Sequence, residues 1–135
     1  MRGIIIVSIL LFITISLMSF QKTQKFDLKA SVERGKEVYN TQCITCHMEK
    51  GEGIEGAFPP VAKSDYLMAD KNRSIRQILE GASGEMKVNG KVYNGEMPAI
   101  DLTDEQVSDV LNYVRNSWGN KGGAVTPSEV KAERK

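Results

Sequence analysis

Hydrophobic spacing along the chain changes character repeatedly, and the changes mark its elements. Ile4 to Met18 is almost unbroken apolar sequence, interrupted only by Ser8, Thr14 and Ser16. Further on, Ser31 stands as an N-cap before a helix predicted over about Val32 to Thr41, with Val32, Gly35, Val38 and Tyr39 facing inward. Asp65-Tyr66-Leu67-Met68 predicts a short helical turn. Ser74 to Glu80 predicts a better helix, with Ile75, Ile78 and Leu79 on one side and Gly81 as its stop. Between Glu85 and Asn94 the period shortens, and Asn89-Gly90 between Val88 and Val92 signals a tight two-residue hairpin. Thr103 and Gln106 then form a capping-box pattern. Val107, Val110, Leu111, Val114 and Trp118 follow at helical spacing, with Gly119 as the stop. Two short strands do not make a sheet-based fold. The expected class is all-α, about three to five helices with a small hairpin near residues 86–93.

These boundaries divide the chain. Residues 1–19 read as an export signal, with Arg2 as the positive start and cleavage near Ser19; no Ala-x-Ala site is present. The apolar run is short for a membrane span, which needs about 20 residues. The alternative is an uncleaved N-terminal anchor. Residues 20–30 read as a polar linker, 31–119 as one folded domain and 120–135 as a polar C-terminal tail. In that tail Asn120 to Ala124 is expected to be a flexible link, and Thr126 to Glu129 starts either a last short helix or a disordered end. No internal repeat is visible.

Charge excludes some partners. The chain has 18 basic and 17 acidic residues, and Arg2 is the only charge of the signal, so the remainder balances to a formal net of zero. Nucleic-acid binding leaves a basic footprint that is missing here. Strong electrostatic steering is equally unsupported, and short-range apolar docking is expected instead.

The chemistry is concentrated in Cys43-Ile44-Thr45-Cys46-His47. C-x-x-C-H is the attachment signature of a c-type haem: two cysteines at this spacing can add to the two vinyl groups of one porphyrin, and the next residue is an imidazole able to bind iron. A thioredoxin-type motif requires a strand–helix unit of a parallel sheet, and no such alternation is present. A structural zinc site takes four Cys or His ligands, and the chain holds two cysteines and one histidine. A plain disulfide leaves His47 unexplained.

With a single histidine, a second axial ligand must come mainly from the methionines. Met1 and Met18 lie in the signal and Met48 adjoins His47 on the wrong side. Met68 reads as core filler and Met86 as the lesser candidate. Met97, in the loop Asn94-Gly95-Glu96-Met97-Pro98, is the expected ligand: glycine lets the backbone pass close and Pro98 stiffens the exit. A thioether opposite imidazole raises the potential, and a filled sixth position leaves no site for substrate.

The chain resembles the monohaem c-type cytochromes of the small all-helical class with His/Met ligation, over roughly Ser31 to Trp118. The segments Phe58-Pro59-Pro60-Val61, Ser64-Asp65-Tyr66-Leu67, Val88-Asn89-Gly90 and Met97-Pro98 are similar to bacterial periplasmic cytochrome c domains. The resemblance implies one covalently attached haem c, electron transfer without enzymatic activity, and an exported location. It implies redox partners of the oxidase, nitrite reductase or dehydrogenase type, with membrane contact only through an uncleaved N-terminal segment, and a monomer. It further implies that Pro59 holds the axial imidazole through its carbonyl, and that Gly35, Tyr39 and Tyr113 pack the crossing of the first and last helices. Ile44, Phe58, Pro98 and Ile100 are expected to frame the exposed haem edge. The competing reading is a haem enzyme or gas sensor with an open iron position.

Overall fold

The computed structural model of the chain describes residues 25–134. The export signal expected over residues 1–19 and most of the linker lie outside the described residues. The elements are α1 (Leu28–Gln42), α2 (Ile44–His47), α3 (Asp65–Ala69), α4 (Lys71–Glu80), β1 (Ala82–Val88), β2 (Lys91–Met97), α5 (Asp104–Arg115) and α6 (Pro127–Glu133). Among the described residues no helix is long and apolar enough to cross a membrane.

Helix α1 begins a turn earlier than its apolar spacing suggests. Asp27 is the cap, accepting from the Ala30 amide at 3.1 Å. Ser31, expected at that position, is fully buried, and its hydroxyl donates to Asp109 Oδ1 at 2.5 Å. Arg34 completes this knot with bonds to both oxygens of Asp109, at 2.7 and 2.8 Å. A buried carboxylate needs paired donors, and these three residues supply each other's needs across α1 and α5. The two helices cross at Gly35, where a Cβ would fall 1.9 Å from the Asp109 carbonyl oxygen. Beside the crossing Tyr39, Tyr113 and Trp118 pack with ring centroids 5.1–5.4 Å apart.

Helix α4 also gains a turn, because Asp70 caps it by accepting from the Arg73 amide at 2.9 Å. Helix α5 carries the predicted capping box at Thr103 and Gln106 but ends at Arg115, short of Gly119. Trp118 therefore reaches the aromatic cluster from a turn, with a φ of 51°.

The hairpin is longer than residues 86–93. Its register runs from Val88↔Lys91 at the tip through Met86↔Tyr93 to Ala82↔Met97 at the base. Asn89 and Gly90, with φ of 50° and 81°, form the turn, as two-residue hairpin loops require. Gly84 faces Gly95 in the middle of the ladder, and glycine hides strand character from any propensity reading.

The C-terminal segment is part of the body rather than a free tail. Val125 and Val130 are fully buried in the main cluster with Tyr39, Ile75, Leu102, Val107 and Leu111. Asn112 grips the Val125 backbone on both sides: its Oδ1 accepts from Val125 N at 2.7 Å and its Nδ2 donates to Val125 O at 2.8 Å. Thr126 and Glu129 make a second capping box that starts α6. Ion pairs Lys71–Glu129, Arg76–Glu133 and Arg134–Asp104 hold α6 against α4 and α5. Burial of two valines decides between helix and disorder, at roughly 1.5–3 kcal/mol for each such side chain.

Candidate functional site

A cleft of about 1090 Å³, counting its open mouth, lies between the C-terminal end of α1 with α2, the Ala57–Val61 segment, α3, α4, the hairpin and α5. Its lining is mostly apolar, including Phe58, Pro59, Val61, Leu67, Ile78, Val110, Leu111 and Val114. Cys43, Cys46, His47, Pro59, Met86 and Met97 all line it.

One wall comes from α1 and α2. Cys43 closes α1, its amide donating to Tyr39 O at 2.9 Å, and Cys46 and His47 follow within the single turn of α2. Both cysteines are free thiols, half-buried. Burial, helped by the neighbouring Cys46, pushes the Cys43 thiol up to about 11. Redox-active cysteines are instead held low, in electropositive surroundings, and Cys43 is not so held. Among the described residues no group of three or more His, Cys, Asp or Glu is placed to hold a metal ion.

His47 Nδ1 lies 3.0 Å from Pro59 O. A carbonyl only accepts, so Nδ1 carries the proton and Nε2 keeps its lone pair. Burial lowers the pKa of His47 against the opposing bond to Pro59, so the ring is neutral at pH 7. A neutral imidazole of fixed tautomer is the form that binds a metal, and a carbonyl behind it is the usual orienting partner. The resemblance implied this role for Pro59, and Pro59 is the residue that makes the bond.

The loop that presents Pro59 is folded back on itself. Val61 and Ala62 amides both donate to Gly51 O at 2.8 Å, and Gly53 N donates to His47 O at 3.0 Å. Gly53 has a φ of 64°, and a Cβ there would lie 2.3 Å from Phe58 O. Tyr39 OH donates to Met48 O at 2.7 Å, which pins the turn after His47. This organisation is the structural use of the Gly/Glu-rich segment.

The facing wall is the hairpin. The hairpin contributes Ala82, Met86 and Val88 from β1, and Tyr93, Gly95, Glu96 and Met97 from β2. Met97 sits at the base, where Gly81, with a φ of 83°, passes so close that a Cβ would lie 2.7 Å from Met97 O. Met68, expected as core filler, belongs to neither the cleft lining nor the core cluster, whereas Met86 shares the lining with Met97. Phe58 and Pro98 line the cleft; Ile44 and Ile100 pack against the core cluster instead. Neither Tyr93 nor Tyr66 was expected in the cleft lining, where both stand. For Tyr93 the signal was available, since it lies four residues before Met97 and alternation puts both on one face.

The cleft fits a porphyrin. It offers an apolar slot, two thiols on one wall with a neutral imidazole beside them, and thioethers on the other. Two buried guanidinium nitrogens, Arg73 Nε and Arg115 Nε, have no partner. Arg73 lies 3.7 Å over the Tyr66 ring, and Arg115 Nη1 donates to Leu67 O at 3.1 Å. Both sit behind the cleft-lining residues Tyr66 and Leu67, outside the lining itself.

Comparison with known proteins agrees with this chemistry. The family model described as Cytochrome c matches residues 32–118. Cytochrome c-552 of Thermus thermophilus is 34% identical over 124 residues, covering 75% of this chain and 94% of that protein. The cytochrome c subunit of the quinone alcohol dehydrogenase of Gluconobacter oxydans is 31% identical over 103 residues, covering 74% of this chain and 22% of the subunit. The cbb3-type cytochrome c oxidase subunit CcoP of Azospirillum brasilense is 30% identical over 98 residues, covering 68% of this chain and 30% of that subunit.

Proposed function

This chain belongs to the cytochrome c family, and from that premise we propose a closed haem site with Cys43 and Cys46 as thioether attachments and His47 and Met97 as axial ligands. The family binds haem c covalently and carries electrons, and this chain is an electron-transfer cytochrome with one haem c. When bound, the haem iron supplies a one-electron couple between its ferric and ferrous states.

The residues divide the remaining work. Cys43 and Cys46 would hold the haem, each thiol S–H adding across a vinyl C=C bond of the porphyrin, a step that would need no oxidant. Pro59 fixes the His47 ring so that Nε2 is the ligating nitrogen. Met97 offers a soft thioether that favours ferrous iron and raises the potential. The apolar walls exclude water and so lower the reorganisation that accompanies a change of charge. With both axial positions taken by the chain, no coordination site is left for substrate, which is why a carrier is preferred to a haem enzyme or gas sensor.

For partners we propose a dehydrogenase, oxidase or nitrite reductase, the first two supported by what the relatives are. Electrons would pass at the cleft mouth near Phe58 and Pro98. The apolar Ile4–Met18 run supports export, with the folded part outside the cytoplasm as a monomer. The observation that carries the reading is the His47–Pro59 bond at 3.0 Å across the cleft from Met97. Its test is a haem stain on a denaturing gel. One covalent haem per chain that vanishes when Cys43 and Cys46 are both replaced by Ala supports it, and haem lost from the wild type on denaturation refutes it.

A further inference from the structure

The hairpin bears Met97 at its base, yet a reciprocal pair of hydrogen bonds also ties its tip to the helices. Asn89 N donates to Asp65 Oδ1 at 2.7 Å, and Asp65 N donates to Asn89 Oδ1 at 3.1 Å. The two residues thus satisfy each other's amides across 24 positions of sequence. Asp65 Oδ1 also accepts from Tyr66 N at 2.7 Å, so the carboxylate is fixed to the first turn of α3. At the other end, Ile100 N donates to Ile78 O at 3.0 Å, and Gly81 closes on Met97 O.

We propose that Asp65 and Asn89 form a latch that holds the whole hairpin at the height Met97 needs, making both positioning residues for the sixth ligand. The proposal rests on reading Met97 as that ligand. Six ladder steps separate the Val88↔Lys91 pair from the Ala82↔Met97 pair, a lever of roughly 20 Å at strand rise. Pinned at both ends, the hairpin stays seated on the cleft; freed at the tip, it peels from the tip inward, lifting Met86 and Tyr93 first and so loosening the strand that ends in Met97. The other tie at the tip, Lys91–Glu55 at 2.7 Å, joins two largely exposed side chains. Such a pair is weak and screened by salt. The Asp65–Asn89 bonds are also exposed, but they are reciprocal and anchor main-chain amides rather than two flexible side-chain ends.

The test is imidazole binding to the ferric holoprotein. Imidazole must wait for Met97 to leave, so the rate at saturating imidazole reads hairpin opening. Asp65→Ala should raise that limiting rate about tenfold and Asn89→Gly, which preserves the left-handed turn, a few-fold, the factors expected for lost hydrogen bonds. Asp65→Asn keeps the accepting oxygen and should return the rate to the wild-type value. Asn112→Ala, which acts on the C-terminal segment, should leave it unchanged. A limiting rate that is unaltered in both Asp65→Ala and Asn89→Gly overturns the latch; if Asp65→Ala yields no holoprotein, Asn89→Gly decides alone. A wild-type rate that never saturates, matched by Met97→Ala, overturns the ligand assignment itself and the latch with it.

Discussion

Asn112→Ala isolates the device that makes the C-terminal segment part of the domain. In the wild type the Asn112 amide holds Val125 N at 2.7 Å and Val125 O at 2.8 Å, and also donates to Ser31 Oγ at 2.8 Å. After truncation Val125 O keeps its bond from Ser108 Oγ at 2.8 Å, and Ser31 still donates to Asp109. The one group left stranded is the Val125 amide, at a residue that is 0% exposed. An unsatisfied buried donor costs about 1–3 kcal/mol, so about 2 kcal/mol is a fair central value. That is comparable to burying one valine, and the segment escapes the cost by undocking. Undocking exposes the backbone around Lys121, and its population rises roughly 30-fold for about 2 kcal/mol. Limited trypsin digestion reads this directly as faster cleavage after Lys121. Nothing beyond Val114 lines the cleft, so the haem spectrum should not move. Cleavage at the wild-type rate refutes the reasoning, as does a changed spectrum.

Gly35→Ala places a methyl 1.9 Å from a backbone oxygen and 2.9 Å from Tyr113 Cβ; over-packing at the upper end of the usual range, about 3 kcal/mol, should lower the Tm by roughly 10–15 °C, measured by thermal melting of the holoprotein. The Glu129 carboxylate is held below its ordinary pKa by its bond to Lys71, against burial and with help from Thr126. A depressed folded value means stabilisation that is complete above the unfolded carboxylate range near pH 4.3 and lost as pH falls through the folded value. Trypsin cannot follow this in acid, so pepsin cleavage of the segment should rise steeply below about pH 4 in the wild type and more gently in Glu129→Gln.

What was legible in the sequence was chemistry fixed by near neighbours. Cys43, Cys46 and His47 announce themselves by spacing, the Asn89-Gly90 turn by its need for positive φ, and α5 by a capping box that closes within three residues. Met97 emerged by elimination and stands in the cleft, as does the lesser candidate Met86, whose strand is masked in the sequence by Gly84. The misplaced boundaries share a cause. Ser31 looks like a cap until Asp109, 78 residues away, supplies a buried partner. The segment after Gly119 looks polar until Asn112 and the core capture Val125 and Val130. Trp118 fits the helical period of α5 but reaches Tyr39 and Tyr113 from the turn after it. Contacts between distant positions decide these cases, and no local pattern encodes them.

The central claim, an iron closed on both faces by this chain, is tested most directly by visible spectra of the purified holoprotein beside Met97→Ala, in both redox states and with carbon monoxide. The account predicts a weak band in the red for the oxidised wild type that disappears in Met97→Ala. Carbon monoxide should bind the reduced variant readily and the reduced wild type poorly. Identical spectra for the two proteins, with ready carbon monoxide binding by both, would contradict it.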